Sequence, residues 1–399
     1  MQTEELVDRI IKGIKKNILI KNDVAYVVDP VFGIVRNRVC AEIVKSFIRL
    51  GYDIALTEKL INFLLQAQNE NGSWNEVHPN YNQPSSLVTS IVGEALLIYH
   101  EIYPKEEIEE SIHIAKDYLL SQEKSPGYFV KSKLYIADHL NVDATCGAFL
   151  ARYGKIFADR EGIEAAKRAA KHVCEHQFRN GAYPYTINRG NYSYSFRIPC
   201  IHYQSVTMYY LSKIDEELGE DWLKDSLIKG ARWLSMSQRK DGRFDWSRSG
   251  LMFAYYLSGA YAFAFSAFTY VARWDKRYQE NAKLCLKVLK ENINSLVSRW
   301  ERGSWITFPL SIPMTLKASL IGDYPFRHRL FRFGYGLYRE IARRRSTTQI
   351  DDKIFKSLTK TLNINYSTIE PFSNYSDIFM TSEVLDCLSH SLSRREVLL

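Results

Sequence analysis

The stretch Gly190-Asn-Tyr-Ser-Tyr-Ser-Phe-Arg-Ile-Pro-Cys-Ile-His-Tyr-Gln204 gathers Tyr192, Tyr194, Arg197, His202 and Tyr203 into one short segment. Arginine neutralises a carboxylate through paired hydrogen bonds, and tyrosine or histidine can remove a proton and return it. These are the groups needed to act on a uronic acid, whose neutralised carboxylate acidifies the adjoining ring carbon. Tyr194 and His202 would move the proton, and Tyr192, Arg197 and Tyr203 would hold the sugar. The same residues also suit an aromatic loop with one hydrogen-bonded histidine.

A second cluster, Trp74-Asn-Glu76-Val-His78-Pro-Asn80-Tyr81-Asn82-Gln83, sets polar side chains beside aromatic faces, which is how sugars are commonly held. Glu76 is its candidate general acid, with Trp74 and His78 as binding residues, although Asn and Pro of this kind also simply make a loop. A third cluster is Asp245-Trp246-Ser247-Arg248, where Asp245 and Trp246 are candidate sugar contacts. Paired carboxylates drawn from Glu76, Asp143 and Asp245 would suit a glycosidic bond if the fold sets them on its two sides.

What positions these clusters is a repeat. Gln68-NEN-Gly72-Ser-Trp74, Gln122-EKSP-Gly127-Tyr-Phe129, Gln177-FRN-Gly181-Ala-Tyr183 and Gln238-RKD-Gly242-Arg-Phe244 share one pattern, the second with one extra residue. A worn fifth copy, Arg299-WER-Gly303-Ser-Trp305, lacks the glutamine. The copies start 54, 55, 61 and 61 residues apart, a period that suits two long helices and a loop. Each copy follows a helical segment with apolar residues at three-to-four spacing, so it reads as a helix ending, with glycine in the left-handed conformation that stops a helix. More apolar helices follow each copy, as in PSSLVTSIVGEALLIYH and IHYQSVTMYYLSKI, and read as inner helices buried on all flanks. The fold class is therefore expected to be all-α, an (α/α)6 toroid of paired inner and outer helices. One toroid domain is expected over 1–399, with clear repeats over 38–305 and closing helices in 306–399, plausibly at 327–345, 350–361 and 378–392. The loops entering the inner helices then share one rim, which is where chemistry is expected.

Composition fits a folded protein: 46% of the 399 residues are hydrophobic and 25% charged, and the 11 prolines form no linker. The six cysteines hold no C-x-x-C pair, so they read as free thiols in a reducing compartment, and no metal or cofactor is expected. The charged, amphipathic N-terminus lacks a secretory pattern, which points to a cytoplasmic location. Residues 249–272 carry no charge and are long enough for a membrane span, but their tyrosines favour a buried inner helix. Residues 327–345 hold seven arginines against Glu340 alone. That segment suits peripheral contact with an anionic membrane or an acidic polymer as well as it suits a solvated face, while nucleic acid is not expected.

The Gln-x-x-x-Gly-x-aromatic motif resembles the α/α-toroid superfamily of squalene and diterpene cyclases, protein prenyltransferase β subunits and carbohydrate-active lyases, epimerases and unsaturated-uronide hydrolases. Over about 38–305 the resemblance implies the toroid fold. The Asp-x-Asp-Asp cluster of the cyclases is absent, Asp143-Ala-Thr-Cys146 has the wrong gap for the prenyltransferase zinc site, and the Cys-His-Gly of lanthionine-type cyclases is missing. Asn141-Val-Asp143-Ala-Thr-Cys-Gly-Ala-Phe-Leu-Ala-Arg, followed by the Ala158–Ala169 helix, resembles instead toroid proteins associated with polysaccharide biosynthesis. Its layout is also similar to unsaturated glucuronyl hydrolases, and by that analogy Asp143 would be the acid/base residue with Asn141 beside it at the substrate. The expected function is thus a carbohydrate-active toroid in cell-surface polysaccharide biosynthesis or modification, acting on an acidic or neutral glycan and plausibly on uronate. An isoprenoid cyclase or prenyltransferase-like enzyme, and a non-catalytic glycan-binding scaffold, are the alternatives.

Overall fold

The computed structural model describes residues 3–29, 33–78, 81–187, 199–244, 257–292 and 378–393 together with residues 357, 360 and 361. Twelve helices in this part alternate between two layers. The inner layer is α2 (Asn37–Leu50), α4 (Ser86–His100), α6 (Leu140–Ile156), α8 (Ile201–Leu218), α10 (Leu257–Val271) and α12 (Ile378–Ser393). Each packs on the next, and α12 returns to α2, so the inner layer is a closed ring. The fold is an (α/α)6 toroid.

Outside the ring lie α3 (Ile54–Gln66), α5 (Glu106–Ser121), α7 (Arg160–Glu175), α9 (Asp221–Met236) and α11 (Tyr278–Asn292), with α1 (Thr3–Lys15) against α12. The apolar stripe Leu6, Val7, Ile10, Ile11 and Ile14 of α1 is buried there, as the spacing of an amphipathic helix dictates. Among the described residues, then, the last inner helix is backed by the first helix of the chain. Residues 378–393 form α12; residues 327–345, 350–356, 358 and 359 lie outside the described residues. Three short hairpins, β1–β2 (Ile18–Lys21 with Val24–Val27), β3–β4 (Asn75–His78 with Tyr81–Pro84) and β5–β6 (Glu123–Ser125 with Tyr128–Phe129), decorate the rims.

The repeated motif is the joint between neighbouring outer helices. Gln68 Nε2 donates to Gly72 O and, at 3.0 Å, to Ser111 O on α5, while Ser111 Oγ donates back to Gln68 Oε1. Gln177 repeats this with Ser226 on α9, and Gln238 with Asn281 on α11. The motif glycines hold φ of 83°, 83°, 92° and 91° at Gly72, Gly127, Gly181 and Gly242, each against the next outer helix, where a Cβ would strike a main-chain carbonyl. In the second copy the extra residue displaces the glutamine. Gln122 reaches only Ser121, and Glu123 takes over by accepting from Gly127 N–H and pairing with Arg168 of α7.

The aromatic position has its own lock. Its backbone N–H donates to a side chain early in the following inner helix: Trp74 to Thr89, Phe129 to Asp143, Tyr183 to Gln204 and Phe244 to Tyr261. These four side chains therefore all face outward, away from the ring axis.

Candidate active site at the entrance to the ring

A residue two positions before each outward-facing lock is turned by about 200° and faces the axis. Those positions are Leu87, Asn141, His202 and Gly259. Gly259 leaves space that two side chains share, since a Cβ there would lie 2.6 Å from Glu383 Oε2 and 3.4 Å from His202 Cε1. Glu383, from α12, pairs through Oε1 with Arg38 of α2, and Arg38 also donates to Glu42 at 2.7 Å. The guanidinium lies over the Phe379 ring, 4.3 Å from its centre. Three inner helices thus bring an imidazole, two carboxylates and a guanidinium to one end of the ring, and Gly259 of a fourth makes room for them. Burial, with the Arg38 cation in front of it, lowers His202 to about 3, so it is a neutral imidazole at pH 7.

Deeper along the axis the charges continue. Lys45 Nζ lies 3.1 Å from Glu94 and 2.8 Å from Asp386, Arg49 lies 2.6 Å from Asp386, and Lys213 pairs with Glu94. Burial raises the Glu94 carboxyl, but Lys213, Lys45 and Arg49 outweigh it and hold Glu94 well below the usual carboxylate range. Four cations (Arg38, Lys45, Arg49, Lys213) balance four carboxylates (Glu42, Glu94, Glu383, Asp386). On α2 the charged residues recur every three or four positions, one stripe facing the axis over about 16 Å. Sequence reasoning passed over this column. Its signal was the presence of charges inside helices whose other positions are apolar, as with Glu94 in SLVTSIVGEALLIYH.

At the entrance, aromatic rings extend the site sideways. Tyr203 stacks on Tyr185 with centroids 4.0 Å apart, His202 meets Tyr203 edge-on at 4.9 Å, and His139 meets Tyr185 at 5.0 Å. Farther along, Tyr81 and Tyr135 are 5.5 Å apart. All four tyrosines are half-buried, presenting partial faces at the rim. Glu76 ties this tier together, accepting from Tyr81 (2.9 Å), Ser85 (3.1 Å) and Lys131 (2.9 Å).

Among the residues singled out from sequence, His202 and Tyr203 come together here. The buried Asn141 faces the axis by its helical register, and its Oδ1 has no hydrogen-bond partner among the described residues. Asp143 does not join them. It is fully buried on the opposite face of α6, accepts from Phe129 N–H at 2.7 Å and lies 3.9 Å from His172 of α7. Burial and the neighbouring Asp138 carboxylate push it well above the usual range. The pairing of Asp143 with Glu76 across a glycosidic bond is therefore corrected: Asp143 faces the outer layer, and Glu76 is engaged by three donors. Trp74 is also corrected as a sugar contact. It is completely buried, and its indole N–H donates to Leu64 O at 2.7 Å. His78 falls on β3. Tyr192, Tyr194, Arg197, Asp245 and Trp246 lie outside the described residues. All six cysteines are free, and no helix among the described residues is long and apolar enough to cross a membrane.

No family model and no curated protein matches the chain. Solved structures do. An inactive variant of the α-1,6-mannanase GH76A of Salegentibacter sp. HEL1_6, in complex with alpha-1,6-mannotetrose, is similar over 77% of this chain and 93% of its own, with a TM-score of 0.58 at 12% identity. A sugar epimerase from a ruminal bacterium matches over 74% and 88%, with a TM-score of 0.59 at 12% identity. A D-mannose isomerase matches over 74% and 86%, with a TM-score of 0.56 at 15% identity. At such identities the likeness is one of fold, the same toroid found from the helix contacts.

Proposed function

We propose that this protein is a carbohydrate-active toroid of cell-surface polysaccharide biosynthesis or modification, working at the entrance to the ring on an acidic, uronate-containing glycan. The observation that carries this reading is the convergence of His202, Glu383 and Arg38 from three inner helices beside the stacked Tyr185–Tyr203 pair. Aromatic faces beside polar groups suit sugar rings, and a neutral imidazole next to a carboxylate suits a proton moved on and off carbon. Arg197, five residues before His202 in the chain, is the proposed partner of the uronate carboxylate, and Tyr194 a proposed second proton carrier. Similar folds described as a mannanase, an epimerase and an isomerase support a saccharide ligand. A ring interior filled with ion pairs favours a polar ligand over an isoprenoid chain. We place the protein in the cytoplasm on the same footing, with the arginines of 327–345 as its proposed contact with a membrane surface.

The test is incubation with defined uronate oligosaccharides in deuterated water, scoring carbon-bound exchange, unsaturated product and cleavage by NMR. Exchange or cleavage is expected in the wild type, and a loss of about 100-fold or more in His202→Asn and Glu383→Gln, the range for removing a general acid or base. Tyr203→Ala is expected to raise KM more than it lowers kcat. The absence of exchange, cleavage and binding overturns the reading.

A further inference from the structure

Asp143 locks its copy of the motif as Thr89, Gln204 and Tyr261 lock theirs, yet those three are neutral. One amide N–H needs only one acceptor atom, so the second oxygen of the Asp143 carboxyl is surplus to the lock. A buried polar atom normally has a hydrogen-bond partner or a bound ion. Asp143 Oδ2, the oxygen that Phe129 does not use, has no hydrogen-bond partner among the described residues, and Asp143 is 0% exposed. It faces His172 Nε2 at 3.9 Å, and that nitrogen stands 3.0 Å from Asp138 Oδ2. One donor atom from each of the three residues lies within 4.8 Å of the other two.

We infer that Asp138, Asp143 and His172 form a binding site for a divalent transition-metal cation of the zinc class. Donors about 2.0 Å from a tetrahedral ion stand about 3.3 Å from one another, close to the separations around His172. Two carboxylates balance the ion's charge, and imidazole with carboxylate is a ligand set such ions accept. Position gives the ion a task. Asp138 and Asp143 stand at the start of an inner helix and His172 on its outer partner, at the one described copy of the motif where the glutamine makes no bridge to the next outer helix. The metal fastens α6 to its outer partner α7 beside the Glu123–Arg168 pair, away from the ring axis and independently of the proposed glycan chemistry.

The test is calorimetric titration of chelator-treated full-length protein with zinc chloride at neutral pH, followed by elemental analysis after gel filtration. One zinc per chain is expected, with a rise in melting temperature. Affinity is expected to fall about 100-fold or more in His172→Gln and in Asp143→Asn, at or beyond the upper end of what loss of an outer partner costs. Asparagine keeps an acceptor for Phe129 N–H, and circular dichroism verifies that each variant is folded. Cys174→Ser, which removes a half-buried thiol on the same helix, is expected to leave binding unchanged. Failure of the wild type to take up zinc overturns the inference. So does uptake that survives both Asp143→Asn and His172→Gln, or that disappears in Cys174→Ser.

Discussion

Lys45 Nζ stands 2.8 Å from Asp386 Oδ2, and this contact joins the first inner helix to the last. Both side chains are almost wholly shielded from water, at 0% and 2% exposure. Removing one partner of a buried pair leaves the other charge uncompensated, which costs about 3–5 kcal/mol. Lys45→Met is expected to lose that much in urea denaturation. Combining it with Asp386→Leu recovers part of the loss, because cations and carboxylates are again equal in number and Glu94 keeps Lys213, while Arg49 exchanges its 2.6 Å contact with Asp386 for Glu94 at 3.7 Å.

The motif glutamines are unequal. Gln177 makes three hydrogen bonds, two of which bridge to Ser226 on the next outer helix, whereas Gln122 reaches only the adjoining Ser121. Gln177→Ala is expected to lower stability by about 2 kcal/mol, since it strands buried polar groups. Gln122→Ala is expected to change it by less than about 0.5 kcal/mol. Parallel denaturant titrations decide, and equal losses would refute the assignment of the joint.

Gly181 and Gly219 separate backbone strain from steric collision. Both have positive φ, at 92° and 64°, but a Cβ on Gly219 meets nothing within 4 Å, while one on Gly181 falls inside the Lys229 carbonyl. Gly219→Ala is expected to cost about 1 kcal/mol, the strain alone. Gly181→Ala is expected to cost about 3 kcal/mol or more, because the outer helices must move apart.

Buried neutral histidines set the acid limb of stability. Burial and Arg38 lower His202 to about 3, and burial followed by Lys131 lowers His139 to about 4. The unfolded chain binds a proton at each near pH 6.5 while the folded chain does not, so stability falls as pH drops from about 6.5 and levels off below the folded value. Each histidine contributes a slope of about 1 kcal/mol per pH unit inside its window. His139→Gln is expected to flatten the curve between about pH 6 and 4, measured as urea midpoints against pH; an unchanged slope would show that the imidazole is protonated in the fold.

The ring was legible in the sequence because its joints repeat, and Gln, Gly and an aromatic at fixed offsets have one geometric use. The direction of Asp143 was not legible. Its equivalents Thr89, Gln204 and Tyr261 follow their aromatics by 15, 21 and 17 residues, against 14 for Asp143, so no constant spacing reveals that they share a task. Trp74 was misplaced for a related reason: an aromatic beside polar residues reads alike whether its face meets a sugar or the last turn of α3. The axial charges stayed hidden because Arg38, Glu42, Lys45 and Arg49 follow the spacing that normally marks the solvated side of a helix. Only closure of the ring turns that side inward. Glu383 lies 345 residues from its partner Arg38, a separation that local pattern cannot span.

That separation has a meaning for biosynthesis. A chain elongating from its N-terminus completes α2 early, with Arg38, Lys45 and Arg49 presented to water, and two of their carboxylate partners arrive only with α12. Until then the inner layer is an open arc in which Arg38 has Glu42 and Lys45 has Glu94, but Arg49 lacks its 2.6 Å partner Asp386. Contacts of such long range make for slow final closure. The column of charge down the axis is therefore completed only by the last helix, whose Glu383 and Asp386 supply the remaining counter-charges.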